Sequence, residues 1–162
     1  MILKILKYAS FYIAGAYAID VMIRPEIVAK RARRAANARG KPLLNVGCGT
    51  KGSSLRVFLL GHTGWGDVNC DVAAKASCDQ SGKLACTCDT MHLPWKDKQF
   101  GAVIASHVLE HVEDPERALM ELDRVADEVF VITPPWWAPH TYLHPGHRWF
   151  VSSTGQYLRL WS

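Results

Sequence analysis

The stretch Leu43-Leu44-Asn45-Val46-Gly47-Cys48-Gly49-Thr50 decides the fold. A short apolar run ends in two glycines separated by one residue, where a strand would hand over to a helix. Glycine permits the tight turn and lets the backbone approach a ligand closely, and a following helix would present unpaired N–H groups there. Further on, a second candidate strand, Asp67-Val68-Asn69-Cys70, runs into Asp71. A carboxylate at that spacing can accept hydrogen bonds from both hydroxyls of a ribose. Gly52 completes a literal Gly47-x-Gly49-x-x-Gly52 match to the dinucleotide fingerprint, which taken alone reads equally well as a structural glycine turn.

Outward from this stretch, strands and helices alternate. Strand one is Leu43–Val46, and Ser53–Leu60 reads as a helix with Leu55, Phe58 and Leu59 on one face. Strand two ends at Asp71, and strand three is a short piece around Leu84–Thr87. Strand four, Ala102-Val103-Ile104-Ala105, is continuous and apolar, as a buried parallel strand should be. Asp114-Pro115 caps a helix to about Ala126 with an inner stripe of Ala118, Leu119, Leu122 and Val125, and Val129–Ile132 is strand five. The alternation predicts an α/β fold, a Rossmann-like doubly wound, mostly parallel sheet with helices on both faces. Three regions follow: an apolar N-terminal helix over 1–24, a basic helix and linker over 25–41, and a single domain over 42–162.

The 162 residues suit one core, and 49% of them are hydrophobic. The net charge of +4 is concentrated in Arg24, Lys30, Arg31, Arg33, Arg34, Arg39 and Lys41. Such a run can meet RNA or anionic lipid, or be an ordinary solvated helix face. The five cysteines, Cys48, Cys70, Cys78, Cys86 and Cys88, contain no CxxC pair. They read as small apolar residues of a reducing compartment, without a disulfide framework or a cysteine zinc site. Tyr8–Ile19 carries no charge. It reads as a short membrane anchor, as a signal peptide or as a packing helix, with Asp20 opposing the spanning reading. The working expectation is a cytoplasmic domain associated with a membrane through this segment.

Taken in order, these motifs resemble the class I S-adenosylmethionine-dependent methyltransferases of the type 11-like group. The resemblance runs from about Pro42 to Phe150. It is carried by Asn45-Val46-Gly47-Cys48-Gly49, by Asp71, by Cys88-Asp89-Thr90-Met91-His92-Leu93-Pro94-Trp95, and by Ser106-His107-Val108-Leu109-Glu110-His111-Val112-Glu113-Asp114-Pro115. It implies S-adenosyl-L-methionine as cofactor. Gly47, Cys48 and Gly49 would lie by its methionine part. Asp71 and Val72 would lie by the ribose, Asp89, Thr90 and Met91 by the adenine, and Ser106 and His107 on the far wall. Asn45 stands where the group usually has an acidic residue.

For the acceptor side, His107, His144 and His147 are the candidate catalytic bases. His107, Glu110 and His111 are spaced to share one face of a helix, an arrangement that can hold a divalent metal; the reading preferred here is structural hydrogen bonding, with no metal. Trp136 and Trp137 would either wall an apolar acceptor or plug the core. After Phe150 there is room for one short helix, so the usual last antiparallel strands are expected to be missing. The sheet would then keep an open edge through which a homo-oligomer can form. The expected function is methyl transfer to a small-molecule or lipid-like acceptor. The alternatives are a nucleic-acid methyltransferase using the basic helix, and a cofactor-binding module without turnover.

Overall fold

A computed structural model describes residues 23–49, 64–72, 84–152 and 157–160, with the isolated positions 12, 15 and 16. The apolar N-terminal segment, apart from those isolated positions, and the expected helix over 53–60 lie outside the described residues. Helix α1 spans Arg24–Ala38 with Pro25 in its first turn, where the missing N–H costs nothing. The sheet then takes β1 (Leu43–Val46), β2 (Val68–Asp71), β3 (Leu84–Thr87), β4 (Ala102–Ser106) and β5 (Val129–Ile132), with helix α2 (Pro115–Val125) between the last two. A short helix α3 (Pro139–Leu143) and the strands β6 (Trp149–Val151) and β7 (Tyr157–Arg159) follow.

The five strands are parallel throughout, in the order β3-β2-β1-β4-β5. The chain builds outward from β1 through β2 to β3 and then returns to β1's other side with β4. That reversal lies between β1 and β4, and in such sheets the crevice at the strands' carboxyl ends is where ligands bind.

Both faces of the central strands are buried, which explains their unbroken apolar sequences. Leu43, Ala102, Ile104 and Ile132 pack under Ala29, Ala32 and Ala36 of α1. Leu44, Val46, Val103 and Ala105 face the other way, onto Ala118, Leu122 and Val125 of α2. These three alanines of α1 are fully or almost fully buried, and their small size lets the helix lie close to the sheet. Asp114 caps α2 as predicted, its carboxylate accepting from the Arg117 N–H at 2.9 Å.

Three expectations are corrected. The C-terminal residues make an antiparallel pair, β6 with β7, rather than one short helix, and this pair forms its own two-stranded sheet. Trp149-Phe150-Val151 and Tyr157-Leu158 are aromatic and aliphatic strand formers, and the intervening Ser152-Ser153-Thr154-Gly155 is rich in turn-forming residues. Residues 107–112 form an irregular turn rather than a helix, so no helical face of His107, Glu110 and His111 exists. Cys70 and Cys88 are joined by a disulfide, which removes the cysteine argument for a reducing compartment. Parallel pairing sets Cys70 opposite Cys86, and Cys88 lies just beyond, with a Cα–Cα distance of 5.7 Å to Cys70. Among the described residues no helix is long and apolar enough to cross a membrane.

Candidate functional site

The glycine loop takes the shape its sequence demands. Gly47 and Gly49 have φ of 69° and 75°, values that side-chain-bearing residues avoid. A Cβ on Gly47 would also run into the Val108 side chain, so the loop after β1 and the loop after β4 are packed against each other. The N–H groups of Gly47 and Cys48 both donate to the Cys70 carbonyl, at 2.8 and 3.1 Å. The Gly49 N–H donates to Asp71 Oδ2 at 2.8 Å. The loop and the acidic strand end read from the sequence therefore meet directly.

Asp89 follows β3 as Asp71 ends β2. Its Oδ1 accepts from the Met91 N–H at 2.9 Å and its Oδ2 lies 3.2 Å from His92 Nδ1. The Met91 bond, followed by the His92 interactions, holds the carboxyl below its ordinary range. Thr90 is buried and Met91 half-buried against the core, while Val72 is exposed. Ser106 closes β4, and His107 follows with φ 56°, its Nδ1 3.1 Å from Glu110 Oε1. Asn45 is buried and donates to Asn69 Oδ1 at 3.2 Å, so its amide ties β1 to β2.

The carboxyl ends of four neighbouring strands thus bring together the loop of 47–49, Asp71, Asp89 and the pair Ser106 and His107. This set fits a charged nucleoside cofactor: ribose hydroxyls and an adenine amino group donate, and carboxylates only accept. Asp89 keeps acceptor capacity beyond its two local bonds, because a carboxylate has about four lone-pair positions.

The acceptor-side residues divide. Trp136 and Trp137 are exposed in the turn after β5 and so do not plug the core. His144 and His147 sit beside His111 rather than beside His107, with ring centroids 5.5 and 4.8 Å from that of His111. His147 is buried, and burial, only partly opposed by its bond to the Thr141 carbonyl, lowers its affinity for a proton. Glu110 is 1% exposed and its Oε2 has no partner among the described residues. A recess of about 310 Å³ lies on α2, lined by Asp114, Glu116, Arg117, Met120 and Glu121.

The basic run is mostly committed to the fold. Arg33 pairs with Asp67 at 2.5 Å and donates to the Trp65 carbonyl; Arg39 pairs with Glu128 at 3.0 Å and Lys41 with Asp127 at 2.8 Å. Lys30, Arg31 and Arg34 are exposed. Sequence reasoning missed Asp67, Asn69 and the Cys70–Cys88 link. The signal for Asp67 and Asn69 was present in polar residues flanking and interrupting a buried strand, whose partners only the folded chain supplies.

No curated protein matches the chain. Solved structures with a similar fold include a SAM-dependent methyltransferase from Thermotoga maritima described as a possible histamine N-methyltransferase. It is 19% identical, with a TM-score of 0.40, over 72% of this chain and 54% of its own. The trans-methyltransferase CalH, in complex with S-adenosylhomocysteine, is 19% identical with a TM-score of 0.43, over 62% of this chain and 32% of its own. The [4+2]-cyclase SpnF is 25% identical with a TM-score of 0.42, over 62% and 39%. The chain spans about half the length of the first of these and less of the others, and at such TM-scores the likenesses carry no weight for function. The family comparison is of another order: the model described as a methyltransferase domain matches residues 44–128, just over half of the chain, from within β1 to beyond α2. The chain belongs to the class I S-adenosylmethionine-dependent methyltransferase-domain family, with S-adenosylmethionine as its cofactor.

Proposed function

We propose that the protein transfers a methyl group from S-adenosylmethionine to a small-molecule or lipid-like acceptor, leaving S-adenosylhomocysteine. The observation that carries the reading is the bond from the Gly49 N–H to Asp71, which assembles the glycine loop and the ribose-type carboxylate at the reversal of the sheet. When bound, the cofactor supplies an electrophilic methyl group on a sulfonium centre. What remains for the chain is alignment and exclusion of water, which together are worth up to about 7–11 kcal/mol in well-oriented reactions.

The exposed Trp136 and Trp137 offer an apolar wall at the same end of the sheet and support an apolar or aromatic acceptor. Of the three candidate histidines, His107 has the most suitable place. Glu110 Oε1 accepts from its Nδ1–H, leaving Nε2 with the lone pair that a general base needs for a hydroxyl or amine acceptor. Membrane association through the apolar N-terminal segment remains part of this reading, since a lipid-like acceptor would be met there. The commitment of Arg33, Arg39 and Lys41 to acidic partners makes the nucleic-acid alternative the weaker one.

Calorimetry on the full chain tests the core of the reading. S-adenosylmethionine and S-adenosylhomocysteine should both bind, and Asp71→Asn should weaken each about 10–100-fold, the worth of one or two charge-assisted hydrogen bonds. Binding of neither ligand overturns it. Incorporation of labelled methyl into cell extract fractions then separates an enzyme from a module without turnover.

A further inference from the structure

His111, His144 and His147 come from two distant parts of the chain, and each offers a ring nitrogen within 4.8 Å of the others'. The backbone brings them together. The N–H groups of Arg148 and Trp149 both donate to the Glu110 carbonyl, at 2.7 and 3.3 Å, and Trp149 Nε1 donates to the Val112 carbonyl at 3.0 Å. The segment after α3 is thereby docked on the turn after β4.

Two of the rings are already set for coordination. His111 Nδ1 is 2.8 Å from the Gly146 carbonyl and His147 Nδ1 is 3.0 Å from the Thr141 carbonyl. A carbonyl only accepts, so both Nδ1 atoms carry hydrogen, and in the neutral ring this leaves the lone pair on Nε2. A backbone carbonyl in this role is the usual outer partner of a metal-bound histidine. His144 Nδ1 accepts from the Gly146 N–H at 3.1 Å, so this ring must exchange tautomer to offer Nε2.

A second observation points to a cation. Glu110 is almost wholly buried, its Oε2 is unpartnered among the described residues, and it lies close to His147. A buried carboxyl oxygen so placed is costly to leave unsatisfied, and a nearby cation would offset that cost.

We propose that His111, His144 and His147 form a site for one divalent transition-metal ion, zinc being the natural occupant, with Glu110 as its buried counter-charge. Three imidazoles and a fourth position left to water match zinc's preference. Nitrogens around tetrahedral zinc stand about 3.3 Å apart, so the rings need to draw in by about 1.5 Å or less. The ion would fasten the segment after α3 to the turn that carries His107. The proposal does not depend on the methyl-transfer reading.

The test is zinc titration of the chelator-treated full chain by calorimetry, followed by visible spectroscopy with cobalt in place of zinc. One zinc ion per chain should bind and raise Tm. His111→Ala and His144→Ala, both at exposed positions, should each weaken binding about 10-fold to 100-fold or more, while the metal-free chain stays folded with a cooperative melt. His92→Ala should bind as the unaltered chain does. The cobalt form should show ligand-field bands without sulfur charge transfer. Absence of zinc binding, unchanged affinity in both His111→Ala and His144→Ala, or a sulfur band would each overturn the proposal.

Discussion

Gly47 is constrained twice. Its φ of 69° excludes a side chain on conformational grounds, and Val108 occupies the space a Cβ would need. Gly47→Ala should therefore cost about 2–4 kcal/mol, adding left-handed strain to overpacking, as read from urea unfolding. A cost below about 1 kcal/mol would mean that the loop relaxes freely. At this scale the sequence was legible wherever backbone geometry dictated residue type. Gly47, Gly49 and the Asp114 cap stand where their chemistry requires. Asn45 was less legible, because its partner Asn69 comes into reach only once β1 and β2 pair. Its buried amide holds two strands together, whatever it also contributes to the crevice.

The elements are clamped to one another by few side chains, and Arg124 and Glu121 of α2 show how. Arg124 donates to the Leu93 and Trp95 carbonyls at 2.9 and 2.7 Å and pairs with Glu121 and Asp97. Glu121 Oε2 in turn accepts from the Leu93 N–H at 2.8 Å. The helix so holds the segment that begins with Asp89. Chiefly through the Arg124 bond, the Glu121 carboxyl is held below its ordinary value of 4.5. A carboxyl whose folded value is depressed contributes stability above its unfolded value and loses it as pH falls through the folded one. Tm should thus decline below pH 4.5, and Glu121→Gln should lower Tm at pH 7 while flattening part of that acid decline. An acid limb identical in Glu121→Gln and the unaltered chain would remove the clamp from the account. The predicted strands and α2 match the folded elements closely because alternation and capping are local signals. The β6–β7 pair was misread because Val151–Ser162 was weighed by length alone, without its strand-forming partner Trp149-Phe150.

Across the whole molecule, what escaped the sequence is lateral order. Spacing along the chain does not say that β2 lies between β1 and β3, the arrangement that sets Cys70 beside Cys88, nor that the segment after α3 docks on the turn after β4, which sets His144 and His147 beside His111. The disulfide has a consequence at this scale. It closes a loop with a sequence separation of 18, which in the chain-entropy account stabilises the fold by about 3 kcal/mol. It also joins the residues directly before Asp71 and Asp89, so one covalent link fixes the separation of the two carboxylates that would grip the nucleoside. The double change Cys70→Ala and Cys88→Ala should lower the urea midpoint by an amount equivalent to about 2–4 kcal/mol. It should also weaken S-adenosylhomocysteine binding, because two contacts no longer arrive preorganised. Cys86→Ala should do neither, since Cys86 is free in the structure. If the double change moves neither the midpoint nor the affinity, the crosslink has no part in holding the cofactor end of the sheet together.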